Sequence, residues 1–441
     1  MDPVSEDYAR IREVLTQPSL KLASFTLTEK GYRIKDTDGA ILPAIQKDFG
    51  AGPAAAESYL GKVCAMLHAR YQAGACPIAL VSMDNCSHNG TRLAEAMCAF
   101  ADAWEANGLV DSGFAAYVHD RDKVSFPWTM IDKITPRPDP RVVEIVRADG
   151  VEDIEAIKTQ KGTFVAPFVN AEETQYLVIE DWFPNGRPTI ENAAGIMFAD
   201  RETVDKVERM KVCTCLNPLH TGLAIFGCLL GYERISDEMK DADLSRLVNI
   251  LGYREGLPVV INPGVLDPRE FIDTVIQKRL PNPYMPDTPQ RIATDTSQKL
   301  GIRFGQTIKA YLADPDLHVA DLRLIPLVFA GWLRYAMGLD DAIKPFTPSD
   351  DPLLGQIQAQ LASAKIGMTD VHAMLEPILS NEKIFGVNLY EAGVAPLCEQ
   401  YFVELAEGSG AVRRALRRHT LESLVTEARP GDRKEKQDVR S

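Results

Sequence analysis

The sequence predicts an α/β amino-terminal domain built on a mostly parallel sheet, followed by a mainly α-helical carboxyl-terminal domain. Three observations carry this. Helical and strand patterns alternate through the first 107 residues, and alternation at that pitch places helices on the faces of a parallel sheet. Polar residues gather at the ends of two of those strands, where open α/β sheets hold ligands. From about Glu202 the pattern changes to long helices with short connections. The expected division is therefore residues 1–201, residues 202–428, and a charged tail at 429–441 that lacks large apolar residues and is expected to be disordered.

In order along the chain, 5–17 is expected helical, and 20–28 reads as a strand ending in Thr28, Glu29, Lys30, Gly31 and Tyr32. A helix over 53–73 precedes a strand over 77–83, the turn Asp84, Asn85, Cys86, Ser87, His88, Asn89, Gly90, and a helix over 91–107. A proline-bounded segment from Pro127 to Pro136 interrupts the alternation. Strands follow near 163–169 and 176–179, then a loop over 183–188. Helices are expected over 202–211, 218–234, 268–279, 301–313, 321–337, 353–363, 368–379 and 390–425.

A net charge of −14 argues against nucleic acid as a partner, because phosphate binding needs a basic face. Local sites for a dinucleotide or a uronate remain open. No apolar run approaches the ~20 residues of a membrane span, and the opening residues are no signal peptide. The eight cysteines are scattered, several within apolar helical patterns, which suits reduced thiols and a cytoplasmic protein.

The most informative stretch runs from Glu208 to Tyr232. Its second half is apolar with small residues, a helix buried on most sides, and its first half carries Glu208, Lys211, Asn217 and His220. Asn217 is expected as N-cap, with Pro218 at the first helical position. A lysine beside apolar surface loses proton affinity and can serve as a general base. A nearby carboxamide can donate to an oxygen that is changing charge. Cys213, Cys215 and His220 could be read as zinc ligands, but two cysteines two apart on a helix point to different faces. No metal is therefore expected. Gly50, Ala51 and Gly52 match a dinucleotide loop by letters alone; no strand precedes them, and they are expected to form a helix-start loop.

Lys211, then Asn217-x-x-His220, then an apolar helix ending Gly231-Tyr232 resembles the polyol-specific long-chain dehydrogenases, the mannitol dehydrogenase family. Asp84-Asn85 with Asn89-Gly90, the run from Met130 through Asp132 to Thr135, the Arg279 to Pro283 segment, and Arg291 to Asp295 with Lys299 resemble further marks of that family. The step from Lys211 to Asn217 is six, where the family usually has five, and Pro218 replaces a glycine. The resemblance spans about Ser19 to Val412. It implies a Rossmann-like first domain and an oxidoreductase that uses NAD or NADP on a small sugar acid or polyol.

By the same resemblance Lys211 is the acid/base, Glu208 its proton route, and Asn85 and Asn217 the donors to the reacting oxygen. His220, Asp132, Arg291 and Lys299 would bind substrate; for Asp132, a salt bridge to Lys133 or Arg137 is an equal alternative. Thr28, Glu29, Gly31, Asp84 and Asn85 would face the cofactor. The wording is nearest to members that interconvert fructuronate and mannonate, with mannitol oxidation or tagaturonate reduction as alternatives. The family's opening strand, Gly-x-Gly loop and helix, within about its first 100 residues, is expected to be absent, which predicts weak NADH binding. A non-enzymatic remnant is the reading from another class.

Overall fold

The computed structural model describes residues 6–425 other than 37, 136–137 and 160–161, so the tail over 429–441 lies outside the described residues. The chain forms two compact units, Met1–Lys133 with Gln175–Val207, and Ile134–Thr174 with Glu208–Ser441. The division expected at 201/202 puts 134–174 in the α/β part; by its contacts that segment clusters with the helical part.

In the first unit, α1 (Glu6–Thr16) leads into β1 (Leu22–Phe25), α2 (Pro43–Ala51) and α3 (Tyr59–Gln72). Then come β2 (Ile78–Ser82), α4 (Asn89–Ala106), α5 (Phe114–His119), β3 (Val124–Ser125) and β4 (Thr129–Asp132). β1, β2 and β3 pair in that order, all parallel, with Leu22 opposite Ala79 and Ile78 opposite Val124. Every residue of β2 is buried, as expected of a central strand covered on both faces. Leu93, Met97, Phe100, Trp104 and Phe114 fill the core beside it.

The chain then leaves this unit for α6 (Pro140–Ala148) and the short exposed strands β5 (Ile157–Lys158) and β6 (Phe164–Val165), and returns with β7 (Tyr176–Glu180), β8 (Ile196–Ala199) and α7 (Arg201–Arg209). β4 pairs antiparallel and β8 parallel with β7, forming a second small sheet.

Several expectations need correction here. The helix expected over 53–73 begins at Tyr59, because the Ser58 side chain accepts from the Gly61 N–H and caps it. The segment expected to break the alternation contains β4. Gly50 and Gly52 do not start a helix but end one: the Gly52 N–H bonds to the Asp48 carbonyl at 3.2 Å with Gly52 at φ +75°.

In the second unit, α7 passes through a π-helical turn, Met210–Cys215, into α8 (Asn217–Leu230). Interrupted at Leu216, they make a helical run, Arg201–Leu230, long and apolar enough to span a membrane by length and composition. That corrects the expectation from sequence, and 83% of its apolar window is buried within the protein. Gly231, at φ +79°, ends it.

No helix was expected between 234 and 268, yet α9 (Ile235–Glu238) and α10 (Ala242–Ile250) lie there, the latter capped by Asp241. α11 (Pro268–Thr274), α12 (Pro289–Ile292), α13 (Gln306–Ala313) and α14 (Leu324–Ala336) follow. α14 is buried along its whole length and packs on α8. α15 to α19 (Leu354–Gln360, His372–Leu379, Glu382–Phe385, Ala395–Leu405, Ala411–Val425) complete the unit. The helix expected over 390–425 is two, broken before Ala411 where Gly410 sits at φ +74°.

Candidate active site

Glu208 and Lys211 are three residues apart at the end of α7 and in the π turn, and they are 6% and 4% exposed. A π turn holds one residue more than an α turn, which accommodates the six-residue step from Lys211 to Asn217. Leu216, at φ −131° and ψ −63°, then breaks the helix before α8 starts.

Asn217 is not the N-cap expected from sequence. Leu216 occupies that position without a side-chain bond, and Asn217 is the first helical residue, directly before Pro218. Its carboxamide bonds no protein group among the described residues. Its main-chain carbonyl accepts from Thr221 Oγ1 at 3.0 Å and from Arg303 Nη1 at 3.4 Å. Arg303 Nη1 also donates to Thr221 Oγ1 at 2.6 Å.

One turn into α8, His220 places Nε2 3.8 Å from Asp287 Oδ2. Asp287 is buried and forms a close ion pair with Arg291, one turn further along. The Lys299 ammonium donates to the main-chain carbonyls of Ile292, at 3.3 Å, and Thr294. Burial first, and the nearby Arg303 guanidinium second, push the Lys299 pKa down to about 8. Burial lowers that of Arg303 to about 10.

In the first unit, the buried Asp84 carboxylate accepts from the main-chain N–H groups of Leu27 and Thr28 at 2.7 and 2.9 Å, and from Tyr32 Oη at 2.5 Å. It thereby holds the turn after β1, in which Thr28 stands at φ +62°. Glu29 opens the single helical turn that follows. A side chain at Gly31 would come within 2.7 Å of Leu27 Cβ, so only glycine fits there.

Asn85 is exposed, and its carboxamide bonds no protein group among the described residues. Asn89, by contrast, is buried and donates to the Asp84 and Thr129 carbonyls at 2.7 and 3.0 Å. His88 stacks on Trp128 with ring centroids 4.2 Å apart and meets Asp205 at 3.2 Å. Asp132 is buried at the end of β4. Of its alternative partners, Lys133 donates to Gln175 at 2.9 Å, and Arg137 lies outside the described residues.

Three contributors were not recognised from sequence: Asp287, Thr221 and Arg303. Asp287 and Arg303 each lie four residues from a cation that was recognised, a helical spacing open to reading.

The residues present fit part of a dinucleotide. The carboxyl ends of β1 and β2 offer a pre-set turn at Thr28 and the unbonded Asn85 carboxamide. Among the described residues no strand–Gly-x-Gly–helix turn supplies a pyrophosphate cradle. For metal, Cys213 and Cys215 are both buried, and burial pushes the Cys215 thiol up to about 12. No group of three or more possible metal-binding side chains occurs among the described residues.

A parallel sheet with polar strand ends in one unit, and a buried acid–lysine pair leading into Asn-x-x-His in the other, define a Rossmann-type dehydrogenase with a helical second domain. Two family models match, the mannitol dehydrogenase Rossmann domain over residues 3–192 and the mannitol dehydrogenase C-terminal domain over 203–397. The chain belongs to the mannitol dehydrogenase family.

It is 51% identical over 419 residues to a D-mannonate oxidoreductase of Thermotoga maritima, covering 94% of this chain and 77% of that one. A D-mannonate oxidoreductase of Escherichia coli is 28% identical, with coverages of 88% and 76%. Among solved structures, the Pseudomonas fluorescens mannitol 2-dehydrogenase in ternary complex with NAD and D-mannitol matches with a TM-score of 0.65. It is 27% identical and is covered to 78% by 96% of this chain. A D-sorbitol dehydrogenase shares the fold with a TM-score of 0.73 at 24% identity, over 93% of this chain and 77% of that one.

Proposed function

We propose that this protein is an NAD- or NADP-dependent oxidoreductase that interconverts a keto-sugar acid and its sugar acid, of the fructuronate and mannonate type. The observation that carries the reading is Lys211, 4% exposed on a π turn, three residues after the buried Glu208. The bound nicotinamide supplies the hydride acceptor or donor. In oxidation the Lys211 amine takes the hydroxyl proton as the carbinol C–H bond breaks; in reduction its ammonium returns a proton to the ketone oxygen. Glu208 relays that proton to and from water.

The unbonded carboxamides of Asn217 and Asn85 are assigned to the oxygen whose charge changes. His220, oriented by Asp287, binds a neighbouring hydroxyl, and Asp132 binds another. Arg291 and Lys299 are the cations assigned to the substrate's far end. Thr28, Glu29, Gly31 and the Asp84-held turn with Asn85 face the cofactor. The 51% identity to a D-mannonate oxidoreductase supports the fructuronate–mannonate reading over mannitol or tagaturonate chemistry. The eight cysteines, scattered through the chain and several of them in apolar helical patterns, support reduced thiols and a cytoplasmic setting. We assign no role to a metal, to nucleic acid or to a membrane.

The test is oxidation of D-mannonate and D-mannitol with NAD⁺ and NADP⁺, followed by absorbance of the reduced nicotinamide. D-mannonate is expected to turn over faster. Arg291→Ala is expected to harm D-mannonate more than D-mannitol, by about 1.5–3 kcal/mol for a lost charged hydrogen bond. Preference for D-mannitol, with equal losses in the variant, contradicts the sugar-acid reading. Dialysis against a strong chelator is expected to leave the activity intact.

A further inference from the structure

We propose that Arg303 is a positioning residue that sets the Asn217 carboxamide through the first turn of α8; this rests on the role assigned above to Asn217. Arg303 is half-buried, yet no carboxylate pairs with it among the described residues. Its hydrogen bonds go from Nη1 to Thr221 Oγ1 at 2.6 Å and to the Asn217 carbonyl at 3.4 Å, and Thr221 Oγ1 in turn donates to that carbonyl at 3.0 Å. Taking an ion out of water without a counter-charge opposes folding. A cation kept in that state is poorly explained as a stabiliser of the fold.

The turn that it grips needs an outside hold. α8 starts without a capping side chain, after a residue at φ −131° and ψ −63°. The clamp itself stands on a firm base. Arg303 belongs to the π-helical turn Gly301–Gly305, which packs backbone against backbone on Phe385 and Gly386. A Cβ at Gly301 would lie 3.0 Å from the Gly386 nitrogen, and one at Gly305 would collide with the Phe385 carbonyl. Main chain is thus braced on main chain, and Arg303 reaches from there to the turn that bears both Asn217 and His220. A small displacement of a reacting group costs rate far more than affinity.

The test uses the full chain with Arg303→Met and Arg303→Lys, and whichever of D-mannonate and D-mannitol the wild type oxidises. Arg303→Met is expected to lower kcat by about 10- to 100-fold with KM within about 3-fold, consistent with misplacement rather than lost binding. Its Tm should equal or exceed that of the wild type, because a half-buried charge without a carboxylate partner is removed. Arg303→Lys should recover part of kcat. A kcat within 2-fold of wild type in Arg303→Met overturns the proposal. So does a kcat loss that follows a lowered Tm and is no smaller in the lysine variant.

A second readout does not depend on turnover. With asparagine-selective labelling, the Asn217 side-chain amide signal, assigned by its loss in Asn217→Ser, should shift or broaden in Arg303→Met. An unchanged signal overturns the proposal. Wild-type protein that oxidises neither sugar contradicts the functional reading, and the amide signal still decides the positioning one.

Discussion

Removing the Arg279 guanidinium should destabilise the helical unit severely, and removing its partner as well should restore most of the loss. Arg279 donates through Nε and Nη2 to the two oxygens of Glu172, each at 2.8 Å. The two side chains are only 5% and 3% exposed. The Glu172 Oε1 also accepts from the Ile134 N–H at 3.1 Å, so the pair ties the segment Ile134–Thr174 to the helices. Arg279→Met leaves that carboxylate buried without its bidentate ion-pair partner, a state that costs about 3–5 kcal/mol. The double variant Glu172→Gln, Arg279→Met removes both charges of this pair, and the glutamine oxygen can still accept from Ile134. Its loss should be less than half that of the single variant. Urea unfolding followed by far-ultraviolet circular dichroism reads all three proteins. A single-variant loss below about 1 kcal/mol, or a double variant as unstable as the single, refutes the reasoning.

Two further outcomes follow from backbone strain and burial. Thr28→Gly should stabilise the first unit by about 1 kcal/mol, because a β-branched residue at φ +62° and ψ 163° stores strain that glycine does not; a destabilised variant would contradict this. Glu255, fully enclosed and accepting from the N–H groups of Arg323, Leu324 and Ile325, has its pKa raised by burial from 4.5 to about 7. An acid whose folded pKa is raised contributes most below its unfolded value and loses that contribution as pH rises through the folded one. Wild-type stability should therefore fall, relative to Glu255→Gln, by about 3 kcal/mol between pH 4.5 and pH 7. Parallel pH profiles for the two proteins refute it.

The alternation of β1, α3, β2 and α4 was legible because each element carries its own period, and so was the buried helix α8. What was not legible came from distant partners. β4 is a strand because β7, more than forty residues later, pairs with it in antiparallel register. The segment 134–174 meets the helical unit through distant partners, among them the Glu172–Arg279 ion pair and Arg141 on Tyr284, that no local pattern announces. Lys211, Asn217 and His220 stood out because polar groups leading into an apolar helix need a use. The π turn that spaces them left only a six-residue step as its trace. Sequence assigns Arg291 and Lys299 to substrate and gives Arg279 no role; the structure separates the three by partner, Glu172 for Arg279, Asp287 for Arg291 and main-chain carbonyls for Lys299. Arg303 left only its four-residue spacing from Lys299 as a trace, and that spacing does not announce a guanidinium without a carboxylate.

The central claim is that Lys211 moves the proton, and Lys211→Met tests it most directly. The thioether fills the space of the lysine stem and accepts no proton, so circular dichroism and Tm should stay near those of the wild type. With D-mannonate and saturating cofactor, kcat should fall by about 10²- to 10⁴-fold. A variant that keeps most of the wild-type kcat would remove Lys211 from the mechanism and contradict the account.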